Sequence, residues 1–319
     1  MFSQDASISY RVVQEAEERI WSVPSGDPVA EKTTPNNGGA RIYGDLTTGL
    51  DFKPRVKFSR LDPVFTIGSC FARNVEEALL GKGFNILTRG GSYPYPHGNL
   101  NRYNSPVMCQ ELEFAAGLRT FNEDGIVRIR GGFVDLTSYG AFTTRDEAVL
   151  HRQRSTALFA QLTHAKLAII TAGLSEIWFD RDFGVFCNIS PSEAAKSFPE
   201  RFEFRVMNFA DNLAALEKLV QLIRSCSTDC KILLTVSPVP LGATFVSRDV
   251  LISNTYSKAC LRAAVEELYW KYDFIDYFPS YEMVTLSDPA IVWESDRRHV
   301  RRQFVQKIMD EFVARFVVS

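Results

Sequence analysis

The stretch from Val64 to Arg73 constrains this chain more than any other. The run Val64 to Ile67 stops at Gly68-Ser69-Cys70, and then Val75, Leu79 and Leu80 recur at helical spacing. The pattern predicts a buried strand, a tight turn and a helix, with two nucleophile-capable side chains at the turn. A Ser or Cys placed there sits at the carboxyl edge of a parallel sheet and faces a helix N-terminus. Such a position favours a thiolate or a developing oxyanion. The same residues also permit plainer roles: Ser69 as a helix cap, with Glu76 or Glu77 favouring the first turns, and Cys70 as a small buried hydrophobe.

The pattern downstream sets the class of fold. A second short strand is expected over Phe84 to Leu87, then loop through residues 89 to 104. A helix follows from Ser105, with Ser105 as cap and Pro106 at its first position. Gly125 to Tyr139 alternates like a hairpin, Thr144 and Asp146 open a helix to about Thr163, and Lys166 to Thr171 reads as a buried strand. Gly184 to Ile189 suggests a peripheral hairpin. Asn208 caps a helix carrying Leu213, Leu216, Leu219, Val220 and Ile223, and Lys231 to Val236 is a core strand. A helix over Ser253 to Trp270, a short strand over Phe274 to Tyr277 and a last helix over about 300–317 complete the series. Strands alternating with helices imply an α/β fold with a mostly parallel sheet and helices on both faces.

The arm of residues 1–60 reads as largely irregular, with a short helix over Val12 to Trp21 and apolar anchors at Ile20, Trp21 and Phe52. Residues 61–319 read as a single α/β domain.

With 45% hydrophobic and 23% charged residues, the chain is expected to bury a sizeable core. Its formal net charge of -2 argues against a nucleic-acid or anionic-membrane surface. The six cysteines show neither zinc-site spacing nor the density of a disulfide scaffold. No stretch approaches a membrane span, and the N-terminus lacks the pattern of a signal peptide, so a cytoplasmic location is expected. No clustered ligand set points to a metal, and no glycine motif points to a nucleotide.

Polar residues gather at the expected strand ends. After Cys70 and Ser69 come Gly173-Leu174-Ser175-Glu176, then Ser237-Pro238, and finally Asp296-Arg297-Arg298-His299 before the last helix. An Asp three residues before a His can hold one ring nitrogen and leave the other as a general base. The plainer role for Asp296 is favouring a helix start, with His299 solvated among Arg297, Arg298, Arg301 and Arg302. Those arginines suit a solvated helix face, or recognition of a phosphate or carboxylate.

The motif Gly68-Ser69-Cys70-Phe71-Ala72 resembles the one that names the GSCFA family. Segments 173–178, 235–240, 254–259 and 277–282 are similar as well, and the resemblance spans about Val64 to His299. The family looks like an offshoot of the SGNH, or GDSL-type, hydrolases, which implies a three-layer α/β/α fold. There the nucleophilic Ser follows Gly-Asp, and Asp-x-x-His closes the domain. The resemblance therefore implies Cys70 as nucleophile, with Ser69 as helper or alternative, His299 as base and Asp296 as its orienter. Ser175 stands where those hydrolases carry an oxyanion-hole Asn. Asn104, Gly173 and Glu176 are further binding candidates, and Gly90 or Gly91 could be the oxyanion glycine. The implied activity is ester hydrolysis or acyl transfer on a carbohydrate of polysaccharide biosynthesis. It needs no cofactor beyond an acyl donor such as an acyl-CoA. A thiolate paired with His299 would have a depressed pKa. The departures from Gly-Asp-Ser and Gly-x-Asn-Asp suit the alternative of a non-catalytic module that binds a glycan or a nucleotide.

Overall fold

The computed structural model describes residues 41–42, 49–90, 93–129 and 131–318. Its centre is a parallel sheet of four strands: β2 (Val64–Gly68), β5 (Leu167–Ala172), β9 (Lys231–Val236) and β10 (Ile275–Tyr277), in the order β10-β9-β5-β2. Both faces of these strands are covered, which explains why they read as near-continuous apolar runs. The odd and even residues divide cleanly. Phe65, Ile67, Ala168, Ile170, Ile232 and Leu234 enter one core, while Val64, Leu167, Ile169 and Leu233 enter the other.

The first core is roofed by helices α2 (Ser105–Ala115), α5 (Phe209–Cys226) and α6 (Val250–Lys271), with the end of α3 (Arg145–Phe159). The second is closed by α1 (Cys70–Gly81) and α9 (Arg302–Phe316), with the short α7 (Ser280–Thr285) and α8 (Pro289–Val292) at its rim. The molecule is thus a three-layer α/β/α fold. A second, smaller group of elements gathers around its own core of Ile129, Val134, Leu136, Cys187 and Phe202. It holds the hairpin β3 (Ile126–Ile129) and β4 (Gly132–Asp135), an antiparallel sheet of β6 (Glu176–Asp180), β7 (Val185–Cys187) and β8 (Phe202–Val206), and α4 (Ser192–Ser197).

Helix starts follow their local chemistry. Thr144 with Glu147, and Asn208 with Asp211, close reciprocal capping boxes on α3 and α5. Three expectations need correction. The cap of α2 is Asn104, not Ser105, because the Asn104 side chain already reaches the Val107 N–H. Leu80 is 41% exposed and leaves the α1 stripe to Phe71, Val75, Ala78 and Leu79. The strand expected over Phe84 to Leu87 is a single bridge from Ile86 to Val64. There the chain turns so that Thr88 and Arg89 can reach the buried Glu76 carboxylate.

At the other end of the chain, Phe52 packs on Phe278 and Phe316, while Val56 and Phe58 are buried. The strand β1 (Phe58–Ser59) pairs in parallel with β11 (Val317–Val318), and the Arg55 and Val56 N–H groups donate to the Asp276 carboxylate. The helix expected over Val12 to Trp21 lies outside the described residues.

Candidate functional site at the carboxyl edge of the sheet

The turn after β2 is shaped by close approach. A Cβ on Gly68, whose φ is +158°, would stand 2.7 Å from Thr171 Cβ and 2.8 Å from Thr171 O, so only glycine fits against β5. Ser69 occupies the residue before α1 but does not cap it. Its buried hydroxyl donates instead to Ser237 Oγ, 3.1 Å away at the end of β9. Cys70 opens α1 and is half-buried. Burial pushes its thiol above the usual range. The charge of Arg298, the N–H groups of Phe71 and Cys70 and the charge of Lys258 oppose that rise without cancelling it. The depressed thiol expected from the helix N-terminus is therefore not what the structure holds: desolvation outweighs the dipole.

Beneath the turn, α1 is pinned by its own buried acid. Glu76 accepts from Thr66, Thr88 and Arg89 and pairs with Arg73 at 2.6 Å. This fixes the start of α1, and hence Cys70, against β2.

Asp296 and His299 lie in the turn between α8 and α9. Asp296 Oδ1 accepts from the N–H groups of Arg298 (2.9 Å) and His299 (3.0 Å), and Oδ2 accepts from His299 Nδ1 at 2.5 Å. The turn requires Arg297 at φ +53°, a left-handed conformation unusual outside glycine. Hydrogen bonds from the His299 backbone and ring and the Arg298 backbone hold the Asp296 carboxyl well below its usual range, so it is ionised throughout the physiological span. A carboxylate on Nδ1 fixes the tautomer and leaves Nε2 as the working nitrogen. No hydrogen bond joins His299 to Cys70 among the described residues. Arg298, next to His299 in the chain, brings its charge to bear on both Cys70 and Lys258. Arg298 is itself held by Pro240 O at 3.3 Å and lies against Gly242.

The remaining candidates divide. Gly173 follows β5 and touches the site. A Cβ there would stand 2.5 Å from Tyr103 O and 3.6 Å from Ser69 Cβ. The segment 102–104 is stitched across this gap by Arg102 N to Gly68 O at 2.7 Å and Leu174 N to Tyr103 O at 2.9 Å. Asn104 thus arrives beside the Gly68 turn, with Oδ1 accepting from the Val107 N–H and the amide NH2 as its donor end. Ser175 is fully buried and its hydroxyl is engaged by Asn212 and the Ser257 carbonyl. Glu176 begins β6, where its carboxylate accepts from Thr244 Oγ1 (2.5 Å) and Phe245 N (3.1 Å) and fastens the loop after β9. Gly90 closes the turn of residues 87–89 by donating to Leu87 O, and Gly91 lies outside the described residues. Of the arginines, Arg301 donates to Trp293 O and Arg302 pairs with Glu77.

Ser237, noted at its strand end, holds Ser69. Two site residues were not singled out from the sequence. Tyr103 lies close enough to Cys70 for the thiol's charge to act on it. Lys258 is 1% exposed, and its Nζ donates to Gly173 O (2.8 Å) and Val239 O (2.9 Å). Burial lowers its pKa to about 7, with Cys70 raising it and Arg298 lowering it further. The signal was present in the periodicity. Lys258 shares the stripe of Leu261, Val265 and Leu268, all fully buried on α6.

A parallel α/β sheet with a Gly-Ser-Cys turn at its carboxyl edge and an Asp–His pair in the last loop defines a narrow class of protein. The sequence model of the GSCFA family matches residues 63–312, so the chain belongs to the GSCFA family. No match among curated proteins accompanies it.

Proposed function

We propose that the chain is an acyl-transferring or ester-hydrolysing enzyme of SGNH-like type, with Cys70 as nucleophile, His299 as general base and Asp296 as its orienter. The observation that carries this reading is the formed Asp296–His299 pair on the loop whose Arg298 charge reaches Cys70. The raised thiol decides the manner of activation. Cys70 rests protonated, so His299 Nε2 must take its proton during attack, with the ring brought into reach directly or through one water.

The step balances simply. The Sγ–H proton passes to Nε2 as Sγ bonds to the acyl carbon; the bond to the leaving group breaks, the leaving oxygen of an ester or the leaving sulfur of an acyl-CoA takes that proton, and an acyl thioester on Cys70 remains. Water or an acceptor hydroxyl, deprotonated by the same imidazole, then attacks the thioester and releases the thiol. The N–H groups at the start of α1 and the Asn104 amide are the donors best disposed toward an oxyanion. The Ser175 hydroxyl, already engaged, has no part in this reading. A carbohydrate acceptor and an acyl-CoA donor rest on the family resemblance.

The raised thiol also favours a second reading, a non-catalytic module that binds a glycan or nucleotide at the same edge of the sheet. Intact mass after incubation with acetyl-CoA, and with an activated acetyl ester, separates the two. One added acetyl group on the wild type and on Ser69→Ala, absent from Cys70→Ala, is expected. Loss only in Ser69→Ala would move the nucleophile by one residue. No adduct from either donor would favour the binding module.

A further inference from the structure

We propose that Arg298 is a substrate-binding residue, its guanidinium edge taking an oxyanion, phosphoryl or carboxylate, that the substrate carries near the reacting carbonyl. The inference deepens the reading of Cys70 and His299 as the reacting pair and rests on it. It begins with a charge left without a counterion. Arg298 is half-buried, yet among the described residues no carboxylate pairs with its guanidinium. The side chain donates one hydrogen bond, from Nε to Pro240 O at 3.3 Å, and Nη1 and Nη2 have no protein acceptor among the described residues. Neither nitrogen is sealed from solvent. A cation that gives up part of its hydration normally gains a partner in return. The neighbouring arginines differ: Arg297 and Arg301 are exposed, where water meets the need, and Arg302 has Glu77.

The guanidinium is also held in place. A Cβ on Gly242 would stand 2.9 Å from Nη2, 3.1 Å from Cζ and 3.4 Å from Nη1. Such similar distances put the glycine under the flat face of the group, where a larger side chain would displace it. With one face on Gly242 and Nε spent on Pro240, the edge carrying Nη1 and Nη2 is left for a ligand. That edge suits two parallel bonds to a carboxylate or phosphate. Its place in the fold is fixed from two sides. The loop that carries Pro240 leaves β9 at Ser237, whose hydroxyl accepts from Ser69 beside Cys70. The preceding carbonyl of that loop, Val239 O, is taken by Lys258 Nζ at 2.9 Å, so two cations hang on successive carbonyls. Neither has a carboxylate among the described residues. From the other side, the Arg298 N–H donates to Asp296 Oδ1 while Oδ2 accepts from His299 Nδ1. Arg298 thus ties the loop touching the Gly-Ser-Cys turn to the turn that carries the base. An anion on its free edge would hold a substrate between the two.

The test reads the guanidinium and needs no turnover. Phenylglyoxal modification of the full chain is followed by peptide mass spectrometry at fixed pH and ionic strength, with inorganic phosphate or acetate replacing chloride. An anion present at about ten times its dissociation constant should slow modification of Arg298 about tenfold and leave Arg297 unchanged. Protection by phosphate alone identifies a phosphoryl group as the ligand, and protection by acetate a carboxylate. An Arg298 that merely ties down Pro240 would be slowed by neither anion beyond Arg297, which overturns the proposal. In Arg298→Met the rise in melting temperature given by the protecting anion should vanish, while Arg297→Met keeps it. A rise that survives in Arg298→Met overturns the proposal as well. Should Arg298→Met fail to fold, protection in the wild type decides alone. Protection without an acetyl adduct from either donor would defeat the enzymatic reading and leave an anion-binding Arg298. An adduct formed without protection would do the reverse.

Discussion

Removing one carboxylate far from the chemistry should unsettle both stability and site. Glu111 on α2 is fully buried between two buried arginines. It accepts from Arg102 Nε at 2.7 Å and from Arg152 Nη1 at 2.8 Å, and Arg152 continues to Asp135 of β4 at 2.7 Å. The network joins α2, α3 and the hairpin, and Arg102 is also the residue whose N–H binds Gly68 O beside Cys70. In Glu111→Gln the amide keeps one acceptor but leaves two buried guanidinium groups short of charge. Breaking a buried pair from one side costs about 3–5 kcal/mol. At this chain length that corresponds to a fall in melting temperature of roughly 6–10 °C, taking about 2 °C per kcal/mol. Glu217→Gln, which removes the surface pair with Lys271, should cost only about 0–1 kcal/mol and serves as control.

The effect has a pH signature. Burial alone would raise the Glu111 and Asp135 carboxyls, but the arginines reverse it and hold both below the usual range. Groups depressed in the folded state contribute stability above their unfolded pKa of about 4, and lose it as pH falls through the folded value. Differential scanning calorimetry should therefore show the gap between wild type and Glu111→Gln shrinking from pH 7 toward pH 3. A loss no larger than that of Glu217→Gln, or a gap independent of pH, would refute the argument.

Two further outcomes follow from the candidate site. Asp296→Asn should leave the turn intact but release the tautomer of His299, lowering the acetylation rate on the order of 10³–10⁴-fold, with no new pH dependence near neutrality. A loss below tenfold in a stopped-flow acylation assay would deny Asp296 its orienting role. Gly173→Ala must push the Tyr103 carbonyl from the 2.5 Å position and should cost about 1–3 kcal/mol of stability. Gly81→Ala, which meets nothing within 4 Å, should be neutral or slightly stabilising by melting temperature, and equal losses in both would count against the packing account.

The layer structure was legible because period decides it. Val64 to Ile67, Leu167 to Thr171 and Lys231 to Val236 alternate between two apolar faces, and such runs fit only a sheet buried on both sides. The Asp296-x-x-His299 contact was legible for a local reason, since three residues of turn suffice to bring carboxylate and ring together. What the sequence left open depends on distant neighbours. The pKa of Cys70 is raised by burial against the charges of Arg298 and Lys258, both distant in sequence, and no local motif carries that information. The fate of the Ser175 hydroxyl is decided by Asn212, 37 positions away, and Ser257, 82 positions away. Lys258 was not singled out within the helix over Ser253 to Trp270, because its partners are backbone carbonyls, which leave no compositional trace.

The strand order carries a consequence for how the molecule is made. Cys70 is synthesised before its partners, just after a strand that, among the described residues, pairs with β5 and, through Ile86, with its own downstream loop. Lys258, Arg298 and His299 emerge some two hundred residues later, and β11 must still find β1. Until then the thiol has neither the burial that suppresses it nor the charges that tune it. A nascent chain therefore exposes an ordinary cysteine, and the distinctive chemistry of this position is acquired only with the last helix, making thiol reactivity itself a clock for completion of the fold.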